Sequence, residues 1–277
     1  MSRAMRVNEW TDALAARLGG PFAGAEVFYE PRVDSTQVRA KASFAAGKDR
    51  TLWVTQAQTA GYGRMRRDFL SLPTGLYFTF ALPWSQAGGF DATTKGGNPG
   101  DAVLPTILTT AVATALATVL ARDFDRETEI KWVNDLYYRD RKVVGILTEA
   151  IVRAGRPAEI FCGVGINWSE PRGGFPDELK AKAGSLGFAT LTPERALFFF
   201  TRFFDALTQL LEVLPRTDFL EDYEARLLGR GQRGALSDGT EGIILGVAPD
   251  GALRLDVGGQ ERRVSSGEVR LVSWERS

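Results

Sequence analysis

The stretch "EIKWVNDLYYRDRKVVGILTEAIV", residues 129–152, decides the fold of this 277-residue sequence. It reads as a short strand, a tight turn, and then two strands of a hairpin whose turn lies near Arg139 and Asp140, because apolar and aromatic runs alternate with polar turn residues. The next apolar segment, "AEIFCGVGINW" at residues 158–168, predicts a further strand. This part of the chain therefore predicts a sheet.

The sequence on either side of this region alternates between strand and helix patterns. Strand composition is found in "AEVFYE", "TLWVTQAQ" and "GLYFTFALP", which are residues 25–30, 51–58 and 75–83. Helical patterns with capping residues or terminal glycines predict helices, and these cover residues 8–18, 34–47, 103–121, 192–214 and 218–228. Mixed strands and helices predict an α+β catalytic domain, with a Gly-rich surface insertion at residues 85–101.

One predicted helix, residues 103–121, has no charged residue and is long enough to span a bilayer. Threonines recur along it every four residues and so share one helical face, and Pro105 suits a first turn. These features favour a core helix packed on a sheet over a membrane span. We therefore expect no membrane partner.

The C-terminal pattern differs from the rest of the chain. From Ala235 onward, short apolar runs are separated by Gly-containing turns at residues 249–251 and 258–259. This spacing is typical of a small barrel of about five strands. We therefore predict two domains, residues 1–232 and residues 233–277.

Composition excludes several kinds of chemistry. The chain has 34 basic and 34 acidic residues, no histidine and one cysteine. Histidine triads, histidine metal sites, cysteine zinc clusters and intrachain disulfides are therefore absent. The zero net charge argues against a nucleic-acid partner, and the single cysteine and the lack of an apolar leader are compatible with a cytoplasmic location.

The basic loop "QTAGYGRMRRDF", residues 58–69, is a candidate anion-binding segment. Gly61 and Gly63 allow close backbone approach, and Arg64, Arg66 and Arg67 can donate paired hydrogen bonds to carboxylate or phosphate. A solvated surface loop with incidental charge is the alternative. The glycine pair is not a dinucleotide fingerprint, since the third glycine is missing.

Each of three other segments also allows either a functional or a purely structural interpretation. In "KWVNDL", Asp135 could hold magnesium through oxygen and Asn134 could bind a nucleotide, or the pair could form an ordinary turn. Lys142 opens an apolar strand, where it could meet a buried anion or simply lie in water. The "DST" at residues 34–36 offers two hydroxyls to a ligand, or caps a helix.

The order of these segments resembles one family. "DST" (34–36), "QTAGYGR" (58–64), "KWVNDL" (131–136), "RKVVGIL" (141–147) and "GVGIN" (163–167), followed by a small barrel, are similar to biotin protein ligases, also called biotin–[acetyl-CoA carboxylase] ligases. The resemblance implies a class II synthetase-like mixed sheet flanked by helices, with a C-terminal SH3-like β-barrel. It implies an ATP- and Mg²⁺-dependent enzyme that makes biotinyl-5′-AMP and transfers biotin to a lysine of a biotin carboxyl carrier domain.

The resemblance also implies roles for individual residues. Lys142 and Arg64 would be catalytic, and Asp135 would be catalytic and a candidate Mg²⁺ ligand. The residues implied to bind biotin are Ser35, Thr36, Gln58, Gly61, Gly63, Arg64, Lys142, Gly145, Gly163 and Gly165. The residues implied to bind ATP are Arg64, Arg67, Lys131, Asn134 and Asn167.

The chain also departs from the family pattern. Tyr62 replaces the first arginine of the usual loop, Arg66 replaces its last glycine, Val133 stands for a usual proline and Phe69 for a usual tryptophan. Changes at Tyr62 and Arg66 raise the question of how the loop is ordered and how the intermediate is retained.

Some family members also act as repressors through an N-terminal winged helix. Only 33 residues precede the "DST" motif, so we expect an enzyme without repressor activity. The alternatives to biotin ligation are lipoate or octanoate ligation on a related fold, and a non-catalytic biotin- or nucleotide-binding module. A DNA-binding regulator is a more distant alternative. The resemblance leaves a monomer or a homodimer open.

Overall fold

The computed structural model describes residues 7–83, 85, 106–153, 156–213 and 218–272. Within these ranges the chain forms five α-helices, two short 3₁₀-helices, a seven-stranded sheet and a five-stranded sheet. The helices are α1 (Val7–Ala15), α2 (Thr36–Ala45), α3 (Thr106–Phe124), α4 (Pro193–Val213) and α5 (Phe219–Ala225). The strands of the large sheet are β1 (Glu26–Tyr29), β2 (Thr51–Thr55), β3 (Leu76–Pro83), β4 (Glu129–Lys131), β5 (Asp135–Tyr138), β6 (Arg141–Arg153) and β7 (Arg156–Ile166).

The large sheet is mixed, in the order β1-β2-β3-β7-β6-β5-β4. The β1–β2 pair is parallel and the other neighbours are antiparallel. The predicted hairpin is confirmed as β5–β6, and Arg139 and Asp140 at its turn have φ of 52° and 61°. Two successive positive φ angles match the twist of a two-residue hairpin.

One face of the large sheet is covered by α1, α3 and α4. Phe78 and Phe80 of β3 alternate onto this face and meet Phe199 and Phe203 of α4 in aromatic contacts. The helix α3 is long and apolar enough to cross a membrane, but most of its residues are buried inside the protein. The predicted core helix is confirmed, because this helix packs against α4 and the sheet.

The other face of the large sheet is covered only in part, by α2. Ala40 of α2 packs there on Ala81 and Phe161, with Trp53 at the margin. Further along the same face the strands bear glycines instead of large side chains. The uncovered part of this face is where the candidate site lies.

The C-terminal sheet is antiparallel and has the order β11-β10-β9-β8-β12. Its strands are β8 (Arg233–Leu236), β9 (Glu241–Val247), β10 (Leu253–Val257), β11 (Gln260–Val264) and β12 (Val269–Leu271). This confirms the predicted small β unit of five strands. Its apolar side chains join the main core, and the buried indole of Trp132 donates to Gly251 O at 2.9 Å. The predicted boundary near residue 232 falls between α5 and β8 and stays a prediction.

One predicted strand differs from the structure, and two other predictions lie outside the described residues. The strand predicted over residues 51–58 ends at Thr55, because the Thr55 hydroxyl bonds to both the N–H and the C=O of Ala57. Such local side-chain bonds compete with a strand ladder. Pro105 and most of the Gly-rich insertion, residues 86–101, lie outside the described residues.

Candidate active site

A cavity of about 420 Å³ opens on the uncovered face of the large sheet, between the start of α2 and the basic loop. Its volume is in the usual range for small-molecule sites. The predicted site residues that line it are Ser35, Thr36, Gln58, Gly63, Arg64, Arg67, Lys131, Asn134, Asp135, Lys142, Gly145, Gly163 and Gly165. Gly61 and Asn167 line an adjoining cavity of about 1010 Å³.

The floor of the smaller cavity is a set of aligned strand residues. Sheet register places Gly165 beside both Tyr77 and Gly145, and the next row places Gly163 beside Thr79 and Leu147. In this structure two side chains of the protein itself, Phe69 and Gln37, lie close to these glycines. A Cβ at Gly165 would lie 2.6 Å from the Phe69 ring, and one at Gly163 would lie 2.7 Å from Gln37 Oε1.

One end of the cavity is a buried polar network. The Thr36 N–H donates to Gln58 Oε1 at 2.8 Å, and the Thr79 hydroxyl lies 2.9 Å from that of Thr36 and 3.1 Å from Gln37 Oε1. Ser35 occupies the N-cap position of α2, but its side chain makes no capping hydrogen bond. Buried donors and acceptors of this kind suit a ligand that carries both.

Sequence reasoning missed Gln37 and Thr79. Gln37 follows the "DST" motif directly, and Thr79 is a polar residue in the otherwise apolar and aromatic β3. Both side chains are buried, with exposures of 3% and 0%. A polar residue in a buried strand was the available signal, since such a residue needs a hydrogen-bond partner.

The other end of the cavity is basic. Lys142 Nζ lies 2.6 Å from Asp135 Oδ1, and Arg64 donates to Asn134 Oδ1 at 3.4 Å. Burial lowers the pKa of Lys131, although Asp135 opposes this shift. The lining contains six cationic side chains and three acidic ones, Asp68, Asp135 and Glu268. Two of these cations, Lys182 and Arg270, were also missed by sequence reasoning.

The basic loop forms a small hairpin over the cavity. Tyr62 and Asp68 form a bridge, Gly63 N donates to Arg67 O at 2.8 Å, and Phe69 N donates to Gly61 O at 2.9 Å. A Cβ at Gly61 would lie 2.6 Å from Ser71 Oγ, so a glycine is required there. The loop also touches the C-terminal sheet region, because Arg64 donates to Gly267 O at 3.2 Å and Arg67 pairs with Glu268.

Asn167 supports the basic end from outside the smaller cavity. Its side chain donates to Gly184 O at 2.8 Å, and its N–H donates to Val143 O at 2.9 Å. The segment that it holds pairs with the main chain of Lys142, through Lys142 N to Lys182 O and Gly184 N to Lys142 O. Asn167 therefore fixes the strand position from which the Lys142 side chain projects.

The described residues contain no cluster of three His, Cys, Asp or Glu side chains that could hold a metal ion by themselves. Asp135 is a carboxylate in the cavity wall and has the oxygen chemistry that Mg²⁺ prefers. A single carboxylate fits an ion that arrives bound mainly by substrate phosphates and water. Asp135 supplies one oxygen ligand, so the other ligands of an ion at this place would have to come from outside the chain.

The comparisons with known proteins agree with this architecture. Residues 29–167 match the biotin/lipoate A/B protein ligase family, and the chain belongs to that family. It is 31% identical over 248 residues, 83% of this chain and 82% of the relative, to a biotin–[acetyl-CoA-carboxylase] ligase of Mycobacterium tuberculosis. It is 29% identical over 263 residues, 90% of this chain and 74% of the relative, to the bifunctional ligase/repressor BirA of Bacillus spizizenii.

A solved structure shows the same fold. The biotin protein ligase from Aquifex aeolicus in complex with biotin and ATP superposes with a TM-score of 0.69 and 23% identity, over 88% of this chain and 97% of that chain. The predicted mixed sheet with flanking helices is therefore confirmed as the fold of this family.

Proposed function

We propose that this protein is an ATP-dependent biotin protein ligase. It activates biotin as biotinyl-5′-AMP and then transfers biotin to a lysine of a biotin carboxyl carrier domain. The biotin ligases among its relatives support this assignment within the family.

The observation that carries the proposal is the polarity of the cavity. A buried network of hydroxyl and amide groups lies at one end, and an excess of cations lies at the other. Biotin has a ureido head that both donates and accepts hydrogen bonds, and a carboxylate at the end of its aliphatic chain. The two ends of the cavity match the two ends of that molecule, and leave the carboxylate among the cations.

The first step requires two anions to react. A carboxylate oxygen of biotin attacks the α-phosphorus of ATP, the bond from that phosphorus to the bridging oxygen breaks, and pyrophosphate leaves with the electron pair. Cations placed in advance offset the repulsion and stabilise the transferred charge. Lys142 is the candidate for this role, and it would exchange Asp135 for the reacting oxygens.

The second step needs no histidine. The amine of the acceptor lysine attacks the acyl carbon, AMP leaves with the electron pair, and the amine loses a proton to solvent or to a nearby carboxylate. Asp135 is a candidate to orient that amine, because it lines the cavity beside Lys142. Mg²⁺, when bound with ATP, would neutralise phosphate charge.

The buried polar end favours biotin over octanoate or lipoate. An alkyl chain cannot exchange hydrogen bonds with the groups around Thr36 and Gln58, so it gains no polar contact at this end of the cavity. Sites built for hydrogen bonding reject analogues that lack those groups by roughly 10⁴–10⁵-fold. We expect strong discrimination against octanoate.

The decisive experiment uses the full chain with ATP, Mg²⁺ and either biotin with a biotin carboxyl carrier domain or octanoate with a lipoyl domain. Intact mass would detect biotin on the carrier lysine and no octanoate on the lipoyl domain. Octanoyl transfer without biotinyl transfer would refute the proposal. Neither transfer, with biotin still bound, would favour the non-catalytic binding module.

A matched pair of variants tests the role of Lys142. We expect Lys142→Ala to lower pyrophosphate release by about 10²–10³-fold, as for loss of one transition-state contact, while biotin binding measured by calorimetry is largely kept. Lys180→Ala is the control, because Lys180 is an exposed lysine paired with Asp177 and lines neither cavity. Release at the wild-type rate in Lys142→Ala would remove Lys142 from the reaction.

A further inference from the structure

The side chain of Tyr62 reaches from the basic loop to strand β6. Its hydroxyl donates to Glu149 Oε2 at 3.1 Å. The same oxygen accepts from Gln37 Nε2 at 2.8 Å and from Lys41 Nζ at 2.9 Å. Glu149 thus joins the loop, helix α2 and the sheet through one carboxylate.

The charges of this group favour the hydrogen bond. Burial alone would raise the pKa of Glu149, but Lys41, Gln37 and Tyr62 lower it, so the carboxylate is ionised at neutral pH. Burial, together with the charge of Glu149, raises the pKa of Tyr62 to about 12, so the phenol keeps its proton. A protonated phenol beside an ionised carboxylate is a charge-assisted hydrogen bond, which is stronger than a neutral one.

The loop is anchored on both sides of its tip. Arg66 lies over the Tyr62 ring at 4.5 Å, and on the far side Arg67 pairs with Glu268. Between these contacts Met65 and Arg66 have φ of 56° and 57°, a strained conformation for residues other than glycine. Arg64 and Phe69 also hold the loop, through Asn134 and through the packing of the ring on the cavity floor. The Tyr62 hydroxyl is the contact that ties the first strand of the loop hairpin to Glu149 of β6.

We propose that Tyr62 is a positioning residue, whose hydrogen bond to Glu149 keeps the basic loop closed over the cavity before ligand binds and thereby limits escape of the adenylate. This role rests on the proposed function only for the adenylate. The ordering of the loop is a property of the ligand-free protein. The hydrogen bond to Glu149 is a contact through which the tyrosine at residue 62 holds the loop in place.

The test is hydrogen exchange in the ligand-free full chain. The amides of Gly63 and Phe69 are bonded within the loop hairpin and report its opening. A hydrogen bond to a charged group contributes roughly 10–100-fold to an equilibrium. We therefore expect Tyr62→Phe to speed exchange of peptides covering residues 59–70 by about tenfold or more.

Two further variants, a control and a change of the hydrogen-bond partner, test whether the effect belongs to the Tyr62–Glu149 bond. Tyr29→Phe is the control, because Tyr29 makes a similar hydroxyl hydrogen bond to Gln56 away from the cavity. It should leave exchange of the loop at the wild-type rate. Glu149→Gln should speed loop exchange, and adding it to Tyr62→Phe should give less than the product of the two effects, because both changes remove one interaction.

Release of free biotinyl-AMP in the absence of acceptor is the second readout. In Tyr62→Phe we expect faster release and a higher KM for biotin, with a smaller change in kcat. If Tyr62→Phe speeds loop exchange but the wild-type chain ligates no biotin, the anchor is kept and the proposed function is refuted. Normal ligation with wild-type loop exchange and wild-type adenylate release in Tyr62→Phe would overturn the anchor.

Discussion

Replacing Gly165 with alanine tests the packing between the basic loop and the floor of the cavity. The added Cβ would lie 2.6 Å from Phe69 Cε1 and 2.8 Å from Phe69 Cζ. Carbon atoms pack at about 3.5–4.0 Å, so the ring must move by about an ångström. That movement disturbs the edge-to-face contact of Phe69 with Tyr77, whose ring centroids are 6.3 Å apart.

The loss in the free energy of unfolding caused by Gly165→Ala can be bounded. An added methyl in a packed region costs about 1–3 kcal/mol, and an aromatic pair of this kind contributes about 0.5–1.5 kcal/mol. We expect the free energy of unfolding of Gly165→Ala to fall by about 1–3 kcal/mol. Biotin affinity should also fall, because the displaced ring enters the cavity.

The assay is urea unfolding of the wild type, Gly165→Ala, Phe69→Ala and the double variant. If Phe69 causes the clash, Gly165→Ala should lower the free energy of unfolding only slightly when Phe69 is already alanine. The two substitutions would then show a clear coupling energy. Gly63→Ala is a control for added volume, because its Cβ would meet only Arg67 O, at 3.9 Å. An equal cost of Gly165→Ala with and without the Phe69 ring would refute this account and point to Tyr77, the next nearest contact.

Two further predictions concern the loop. Met65→Gly should stabilise the closed form of the loop by up to about 1 kcal/mol and so slow its hydrogen exchange, because Met65 has positive φ and an exposed side chain. Arg66→Gly should stabilise the closed form less, since it also loses the stacking on Tyr62. The lowered pKa of Glu149 means that its contribution to stability is present above the unfolded pKa of about 4.3 and is lost as pH falls through the lower folded pKa. The unfolding temperature measured from pH 6 to pH 3 should therefore depend less on pH in Glu149→Gln, and identical profiles would contradict the assigned partners of this carboxylate.

Much of the fold could be predicted because it depends on local signals. The hairpin turn at Arg139 and Asp140, the cap of α4 at Thr192 and the five C-terminal strands are set by residues near one another in sequence. The end of β2 could not be predicted in the same way. Thr55 has strong strand propensity, and only the observed rotamer shows its hydroxyl bonding to Ala57 instead of continuing the ladder.

The glycines of the site also show how far the sequence alone could predict the structure. The family resemblance implied that Gly145, Gly163 and Gly165 bind biotin, and a glycine within a strand often marks a close approach to the backbone. The sequence could not identify the groups that make this approach in the ligand-free protein, because Phe69 and Gln37 reach the floor from a loop and a helix far away in the chain. These contacts depend on the tertiary arrangement, and a ligand that lies on the strands would have to share the floor with both side chains or displace them.

Glu149 shows why the network around the cavity needed a structure. In sequence it is one acidic residue near the end of an apolar strand, with nothing to separate it from an exposed charge. The pairing of β6 with β7 places it beside Phe161, on the face that α2 covers, and Tyr62 reaches it across 87 residues of sequence. Because Glu149 accepts hydrogen bonds from both α2 and the loop, a change at residue 62 alters how the loop is anchored as well as its charge. Tyr62 therefore acts on the position of the loop through the partner that this chain offers at Glu149.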